Sequence, residues 1–323
     1  MSLRPFLEAI DERVPVCGGA MGTLRYAKGV FINRCFDGLN LTQPAPVGGV
    51  HAEYVKAGAD VVETNTFGAN RIKLASFGLG DKVQAINAEG ANIAREACRG
   101  RAYVAGAIGP LGIRIGPWGR VGVDEAQEYF REQAEALAAA GADLFIIETF
   151  RDLNEIRAAV AAVRSVCALP VVAQMTTEED GGSLGGTPPE EFAPALESTG
   201  ADVIGLNCSV GPAPLLESIE RMAGVTRARL SVQPNAGKPR DLEGRTISLS
   251  SPEYTANEVP GVRVPPGLAE RMRVADEHGR APDEGVAIAH ELVAAVRPLV
   301  SGVQVRAAGR QISSILGVLE AVG

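Results

Sequence analysis

The stretch "AGADLFIIETF" (140–150) occurs in two further versions, "AGADVVETNTF" (57–67) and "TGADVIGLNCS" (199–209). In each version a helical pattern ends at a glycine, an Ala-Asp pair follows, and an apolar run leads to polar residues at its far end. The glycine suits the left-handed position that closes a helix, and the aliphatic run suits a strand buried on both faces. The three glycines are Gly58, Gly141 and Gly200. The repeat therefore predicts a helix-to-strand unit that is used several times.

Five other stretches fit the same strand pattern. They are "VPVCGGA" (14–20), "AYVAGAIGP" (102–110), "PVVAQMT" (170–176), "ARLSVQPNAG" (228–237) and "SGVQVRAAG" (301–309). Helical patterns separate the strands, among them 84–99, 124–141 and 153–166. Eight alternating units in this length predict an α/β fold, a single (β/α)8 (TIM) barrel over residues 1–323. An open doubly wound sheet is the alternative, but "GGAMGT" (18–23) lacks the GxGxxG spacing of such sheets, and no NAD is expected.

The connection between the seventh and eighth strands is longer than the others. Residues 238–300 contain a polar loop, a proline-rich turn and two helical patterns, at 268–279 and 284–300. One helix per connection is enough elsewhere in a barrel. We therefore expect the eighth strand and the connection before it to be atypical.

Composition restricts the partners of the protein. The formal charge of −8 argues against nucleic acid or an anionic membrane, because both attract clustered Lys and Arg. No apolar run has the length of a transmembrane helix, and "MSLRPFLEAI" (1–10) carries a glutamate where a signal peptide is apolar. We expect a cytoplasmic protein that acts on a small molecule.

Active sites of (β/α)8 barrels lie at the carboxyl ends of the strands, so polar residues that end an apolar run are the candidates. Glu148 ends such a run, and a carboxylate in a partly desolvated mouth needs a cationic or donor-rich partner. A substrate amino group would serve, as would Arg151 or Lys238. Glu63 is a similar candidate, although it fits a packed hydrogen-bond layer equally well.

Cys208 also ends an apolar run, and three interpretations are open for it. It is a metal ligand, a nucleophile, or a small buried apolar residue. A nucleophile needs a base in reach, but the three histidines, His51, His278 and His290, fall in helical or loop patterns. The five cysteines show no disulfide framework and no CxxC zinc motif.

Several motifs taken together carry a resemblance to a known family. They are "GGAMGT" (18–23), "NRCFDGLNLTQP" (33–44), "ETNTFGAN" (63–70), "AIGPLG" (107–112), "IIETF" (146–150), "GLNCS" (205–209), "PNAG" (234–237) and "SSPEY" (250–254). In this order they closely resemble the homocysteine S-methyltransferase family, nearest to the homocysteine half of bacterial proteins that also contain a methylenetetrahydrofolate reductase. The resemblance covers residues 10–254.

The resemblance implies a barrel in which zinc binds the sulfur of homocysteine and presents a thiolate to a methyl donor, giving methionine. It makes Cys208 a zinc ligand and Glu148 the residue that holds the substrate amino group. It also places the loop Gly19, Ala20 and Met21 beside the substrate. Asn207 and Asn235, at the ends of the sixth and seventh strands, complete the predicted substrate-binding set.

Three departures from the family pattern stand in the sequence. Ala307 and Ala308 occupy the positions of the family's other two zinc cysteines, so one thiolate ligand of three is kept. Gly18 replaces the family's aspartate in the first loop. Residues 257–310 resemble the C-terminal end of methylenetetrahydrofolate reductases, so we divide the barrel into a methyltransferase-like part (1–254) and a reductase-like segment that completes it (255–323).

The missing early strands of the reductase would hold most of its flavin site, so no flavin is expected. A separate methylenetetrahydrofolate reductase or a second copy of the chain is the expected protein partner. Two functions remain open from the sequence. One is methyl transfer to the thiol of homocysteine with an altered zinc site. The other is a catalytically inactive homologue that binds an amino acid or thiol in a regulatory role.

Overall fold

Eight parallel strands form a closed ring, which confirms the predicted barrel. The computed structural model describes residues 3–19, 21, 34–178, 180–210, 212–234, 239–242, 245–248, 266–296 and 302–304. The ring strands are β1 (Val16–Cys17), β2 (Val61–Glu63), β3 (Tyr103–Ile108), β4 (Leu144–Phe150), β5 (Val171–Met175), β6 (Val203–Asn207), β7 (Arg229–Gln233) and β10 (Gly302–Gln304), where β8 and β9 form a hairpin described below. Their order around the ring is β1-β10-β7-β6-β5-β4-β3-β2.

The last strand closes the ring. On one side Val303 pairs with Val232 of β7, and on the other side it pairs with Val16 of β1. The predicted eighth strand, 301–309, is thus present as β10 in its described part. Residues Gly302–Gln304 therefore belong to the barrel wall.

The Gly-Ala-Asp repeat has a structural role at the amino ends of the strands. Gly58, Gly141 and Gly200 have φ values of 94°, 88° and 85°, as predicted for residues that close a helix. The aspartate two positions later accepts a hydrogen bond from a backbone N–H of the preceding ring strand. These contacts run from Val16 to Asp60 (3.0 Å), from Val104 to Asp143 (2.7 Å) and from Val171 to Asp202 (2.8 Å). An arginine, Arg13, Arg95 or Arg164, pairs with each carboxylate. The repeat thus holds neighbouring strands in register.

The helices that surround the ring follow the sequence closely. They are α1 (Phe6–Glu12), α2 (Leu39–Thr42), α3 (Pro44–Lys56), α4 (Arg71–Ala75), α5 (Val83–Cys98), α6 (Val123–Ala139), α7 (Leu153–Val166), α8 (Pro189–Glu197), α9 (Pro212–Ala223), α10 (Pro266–Glu277) and α11 (Ala281–Val296), with a 3₁₀ turn at Gly80–Lys82. The three helical patterns predicted at 84–99, 124–141 and 153–166 match α5, α6 and α7 within two residues. None of the helices that the structure describes is long and apolar enough to span a bilayer.

Helix α1 covers the amino-terminal end of the barrel. Phe6 and Ile10 are buried and pack against interior residues of the ring such as Val61 and Leu144. The ring of Phe6 also meets Tyr103 edge-on, with centroids 5.5 Å apart. Since this end is filled by apolar side chains, a polar site is left to the carboxyl ends of the strands.

The connection between β7 and β10 is atypical, as expected. It contains the antiparallel hairpin of β8 (Pro239–Leu242) and β9 (Arg245–Ser248), followed by α10 and α11. Arg271 of α10 bonds to Glu284 and Glu291 of α11, both at 2.7 Å. Val286 and Ala289 of α11 pack against the main core, which attaches the helical pair to the barrel.

Candidate functional site

Glu148 and Asn207 meet across the carboxyl end of the barrel. Glu148 lies near the end of β4 and Asn207 at the end of β6, with β5 between them in the ring. The side-chain amide of Asn207 donates to Oε2 of Glu148 over 2.8 Å, and both residues are buried. The oxygen Oδ1 of Asn207 accepts the backbone N–H of Thr149 over 2.8 Å. One buried amide therefore fixes the orientation of the carboxylate and of the chain that follows it.

Thr149 connects this pair to the thiol of Cys208. Its hydroxyl accepts from the amide of Asn207 at 2.8 Å. It lies 3.3 Å from Oε2 of Glu148 and 3.7 Å from Sγ of Cys208, and its single proton is donated to one of the two at a time. Thr149 was absent from the predicted set because nothing in "IIETF" distinguishes it from an ordinary strand residue.

The backbone at Thr149 and Cys208 adopts the left-handed region. Their φ values are 66° and 61°, and Ser209 follows at 59°. This region is unfavourable for residues other than glycine, most of all for a β-branched one. At Thr149 it coincides with a register shift between β4 and β5. Strained residues of this kind cluster at functional sites, and here they bring the hydroxyl and the thiol toward the same point.

Cys208 is half-buried and held by its backbone as well as by its thiol. Its N–H donates to the carbonyl oxygen of Gln233 on β7 over 3.0 Å, and its Sγ lies 3.5 Å from the amide of Asn207. The three histidines are in or next to helices, as the sequence indicated: His51 in α3, His278 after α10 and His290 in α11. None of them lies at the carboxyl end of a strand. The nucleophile interpretation of Cys208 therefore lacks a histidine base.

Within the described residues, the structure does not assemble the three-thiolate zinc site that the resemblance implies. In the part of the chain that the structure describes, no group of three or more His, Cys, Asp or Glu side chains is arranged to hold a metal ion. Cys17 is no substitute for the missing cysteines, because it packs with the apolar cluster at the opposite, amino-terminal end. Ala307 and Ala308 lie outside the described residues, and an alanine side chain has no donor atom. Cys208 is the one cysteine of the described residues that lies beside Glu148 and Asn207 at the mouth of the barrel, and its role as a zinc ligand stays a prediction.

The glycine-rich loop after β1 begins close to a buried tyrosine. The N–H of Gly18 donates to Val61 of β2 over 2.7 Å. A Cβ atom on Gly19 would lie 2.7 Å from the hydroxyl oxygen of Tyr54, so only glycine fits there without a shift. The side chain of Met21 packs against the apolar cluster that contains Leu39. Ala20 and Asn235 lie outside the described residues, and their predicted roles stay predictions.

Two polar residues at the carboxyl end of β5, Gln174 and Thr176, have structural partners. Gln174 donates to Ser231 over 2.8 Å inside the barrel, and Thr176 donates to the carbonyl oxygen of Asn207 over 3.1 Å. Thr176 therefore supports the position of Asn207 from β5. Glu63 is half-buried at the end of β2.

A cavity of about 850 Å³ opens beside Thr149, among the segments that follow β2 to β5. Among the described residues, its wall contains five charged side chains, Lys73, Arg114, Arg151, Asp152 and Glu155. Glu155, in the first turn of α7, is 6% exposed and accepts the N–H of Leu111 over 2.8 Å. Burial raises the pKa of Glu155 to about 7, against the opposing effects of the Leu111 N–H and of Lys73. Burial also lowers the pKa of Lys73, while the carboxylates of Asp37, Glu155 and Glu148 oppose that shift. Lys73 and Glu155 are not among the predicted residues, because only the folded chain brings them to one cavity.

The comparisons with known proteins now identify the family. The profile of homocysteine S-methyltransferases matches residues 16–288. The chain belongs to the homocysteine S-methyltransferase family. This confirms the resemblance found in the sequence, and the match extends beyond residue 254, the boundary that we predicted for the methyltransferase-like part.

Two relatives and two solved structures are similar to this chain. Methionine synthases of Mycobacterium tuberculosis and Mycobacterium leprae are each 34% identical to it over 250 residues, or 72% of the chain. The chain spans only 21% of the length of those relatives. The homocysteine methyltransferase MmuM from Escherichia coli has the same fold, with a TM-score of 0.71 and 20% identity over 99% of this chain and 100% of MmuM in its oxidized form. The metallated form of MmuM gives a TM-score of 0.70, with 98% of this chain and 99% of MmuM covered at 20% identity.

Proposed function

We propose that this protein binds homocysteine at Glu148 and transfers a methyl group to its sulfur, giving methionine. The observation that carries the proposal is the hydrogen-bonded unit of Glu148, Thr149, Asn207 and Cys208 at the mouth of a barrel of this family. This unit connects the carboxylate of Glu148, which can bind an amino group, with the thiol of Cys208, which in the family lies near the substrate sulfur.

The buried carboxylate of Glu148 supports recognition of an amino acid. Asn207 donates to Oε2, so that oxygen is oriented before a ligand arrives, and an ammonium group can donate to the carboxylate with the strength of a charge-assisted bond. A ligand that lacks the amino group would leave this carboxylate unpaired in a partly desolvated mouth. The site therefore favours an α-amino acid over a simple thiol.

The proposed reaction is a direct displacement at the methyl carbon. The substrate sulfur forms a bond to the methyl carbon, the bond from that carbon to the donor's leaving atom breaks, and the electron pair stays with the leaving atom. The thiol proton goes to solvent. A donor whose methyl group is attached to a positively charged sulfur or nitrogen balances the charge, because its leaving group departs neutral.

The expected zinc ligands, Cys208 and the two positions occupied by Ala307 and Ala308, determine how the substrate thiolate is formed. A metal-bound thiol is deprotonated outright, whereas a free thiol with a pKa of about 8.5 is only a few per cent ionised at pH 7. Because Ala307 and Ala308 stand in place of two cysteines, we expect the reaction to depend on the thiolate fraction of the free substrate. Its rate should then rise about tenfold for each pH unit below pH 8. A rate that is flat between pH 6 and 8 would instead indicate a thiol activated by a recruited metal ion.

The experiment that tests the function is methionine formation by protein purified without chelators. The wild type, Glu148→Gln, Cys208→Ser and Cys167→Ser are incubated with homocysteine and sulfonium or quaternary ammonium methyl donors, and metal content is measured by elemental analysis. Cys167 follows α7 and is half-buried away from the site, so its variant controls for the loss of a thiol. We expect Glu148→Gln and Cys208→Ser to lower methionine formation and Cys167→Ser to leave it unchanged. Homocysteine binding without methionine formation from any of these donors would instead support the second function, an amino-acid-binding homologue without catalysis.

The organisation of the C-terminal part and the partners are also proposals. We propose that 255–323 is a reductase-like segment that completes the barrel. Its sequence and the place of β10 in the ring support this, whereas the methyltransferase profile extends to residue 288 and argues for a later boundary. A separate methylenetetrahydrofolate reductase or a second copy of the chain remains the proposed protein partner. Size-exclusion chromatography with light scattering tests the second copy directly.

A further inference from the structure

Two sequence motifs that the proposed function leaves unused, "ETNTFGAN" (63–70) and "AIGPLG" (107–112), build one wall of the 850 Å³ cavity. The ring of Phe67 lies against Gly109, where a Cβ atom would be 2.4 Å from a ring carbon. The side chain of Lys73 runs along Gly112, where a Cβ atom would be 3.0 Å from its Cε. The two glycines therefore let an aromatic ring and a lysine side chain lie side by side.

The position of Lys73 is fixed at both ends of its side chain. Its backbone N–H donates to the side chain of Asn70 over 3.0 Å, which caps α4. Its ammonium nitrogen lies 4.6 Å from the centroid of the Phe67 ring, a distance at which a cation is attracted by the ring face. Lys73 is therefore held in the wall of the cavity.

The ammonium of Lys73 has no direct anionic partner within the described residues. No carboxylate there lies within 4.0 Å of it, and no acceptor oxygen forms a hydrogen bond with it. Asp37, Glu155 and Glu148 act on it only through their fields. A half-buried cation without a contact ion is unfavourable, and an anionic ligand in the cavity would relieve that cost.

The surroundings restrict the charge of such a ligand. Three carboxylates act on Lys73 through their electrostatic fields, and two arginines, Arg114 and Arg151, also line the cavity. An anion beside Lys73 would therefore meet charges of both signs, and a singly charged carboxylate is repelled less by the three carboxylates than a dianion such as phosphate. The cavity also borders Thr149, which contacts both Glu148 and Cys208. A ligand anchored at Lys73 would thus lie next to the proposed homocysteine site.

We propose that Lys73 binds the carboxylate of the compound that supplies the methyl group, and that it thereby selects carboxylate-bearing methyl donors. This inference rests on the proposed function, in which two ligands must be bound at once. Glu148 serves the first ligand, and the cavity beside Thr149 takes the second. Lys73 acts by holding the donor and takes no part in bond breaking.

The test compares two probes that differ only at the carboxylate: the methylsulfonium derivative of methionine and the same compound as its carboxamide. Their dissociation constants are measured by calorimetry on the full chain without homocysteine, for the wild type, Lys73→Met, Lys73→Arg, Lys82→Met and Glu148→Gln. Lys82 is an exposed lysine outside the cavity, so its variant controls for the loss of one positive charge. Thermal melts monitor folding, and Lys73→Gln replaces Lys73→Met if the latter does not fold.

We expect the wild type and Lys82→Met to bind the carboxylate probe at least about tenfold more tightly than the carboxamide. In Lys73→Met this preference should fall to within about twofold, and Lys73→Arg should restore much of it. Equal binding of the two probes by the wild type, or an unchanged preference in folded Lys73→Met, would overturn the proposal. A preference that depends on Glu148 instead of Lys73 would place the probe in the first site and overturn it as well. Failure of methionine formation with an intact Lys73-dependent preference would count against the proposed function alone.

Discussion

Replacement of Asn207 by alanine should weaken both the fold and the site. The change removes a hydrogen bond to a charged acceptor, Glu148, which contributes about 1.5–3 kcal/mol. It also removes the acceptor of the Thr149 N–H, and leaving such a group without a partner costs about 1–3 kcal/mol. Because the two contacts share one side chain and are not additive, we expect a loss of about 3 kcal/mol in the free energy of unfolding.

Urea denaturation followed by circular dichroism measures this loss. Intrinsic fluorescence is a poor probe, since the single tryptophan, Trp118, is 77% exposed. Asn87→Ala is the matched control: Asn87 is fully buried and donates to two backbone carbonyls, at Ala69 and Val83, both at 2.8 Å. Both variants should lose stability, but only Asn207→Ala should also lose homocysteine affinity. An unfolding free energy of Asn207→Ala within about 0.5 kcal/mol of the wild type would refute the reasoning.

Three further changes test other parts of the account. Glu155→Gln should stabilise the protein above pH 7 by up to about 3 kcal/mol, because the folded-state pKa of Glu155, about 7, exceeds the ordinary value of 4.5. This gain should shrink as the pH falls and vanish below pH 4.5, where Glu155 is protonated in both the folded and the unfolded state. Denaturation at pH 4 and at pH 8 checks it. Gly19→Ala should lower the free energy of unfolding by about 1–3 kcal/mol, because the added Cβ crowds the Tyr54 hydroxyl. The additional change Tyr54→Phe should restore part of this stability, which thermal melts measure. Equal melting temperatures of Gly19→Ala and the wild type would contradict the contact. Cys208→Gly should be more stable than Cys208→Ala by about 1 kcal/mol, since glycine tolerates the φ of 61°, and a less stable glycine variant would count against the strained backbone.

The repeat in the sequence was sufficient to predict the fold. Its glycines, apolar runs and strand-end polar residues have local signals, and the structure places them as expected. The role of Asp60, Asp143 and Asp202 was not predicted, because a carboxylate that binds the preceding strand in the ring leaves no periodic trace. Strand lengths were also overestimated, as for the first strand, predicted at 14–20 and observed at Val16–Cys17.

The candidate site was predictable only in part. Glu148, Asn207 and Cys208 follow from the rule that strand carboxyl ends converge, and they do lie together. Thr149 escaped prediction because its left-handed backbone depends on a register shift between two strands. Lys73 and Glu155 sit in helices α4 and α7, and only the tertiary fold turns them toward one cavity.

The pairing of Glu148 with the amino group of homocysteine is tested most directly by calorimetric titration with homocysteine and with N-acetylhomocysteine, which lacks the ammonium. We predict that the wild type binds homocysteine at least about tenfold more tightly than the acetylated compound, and that Glu148→Gln loses most of this preference. Equal affinity of the wild type for the two ligands, or a preference that survives Glu148→Gln, would contradict the account.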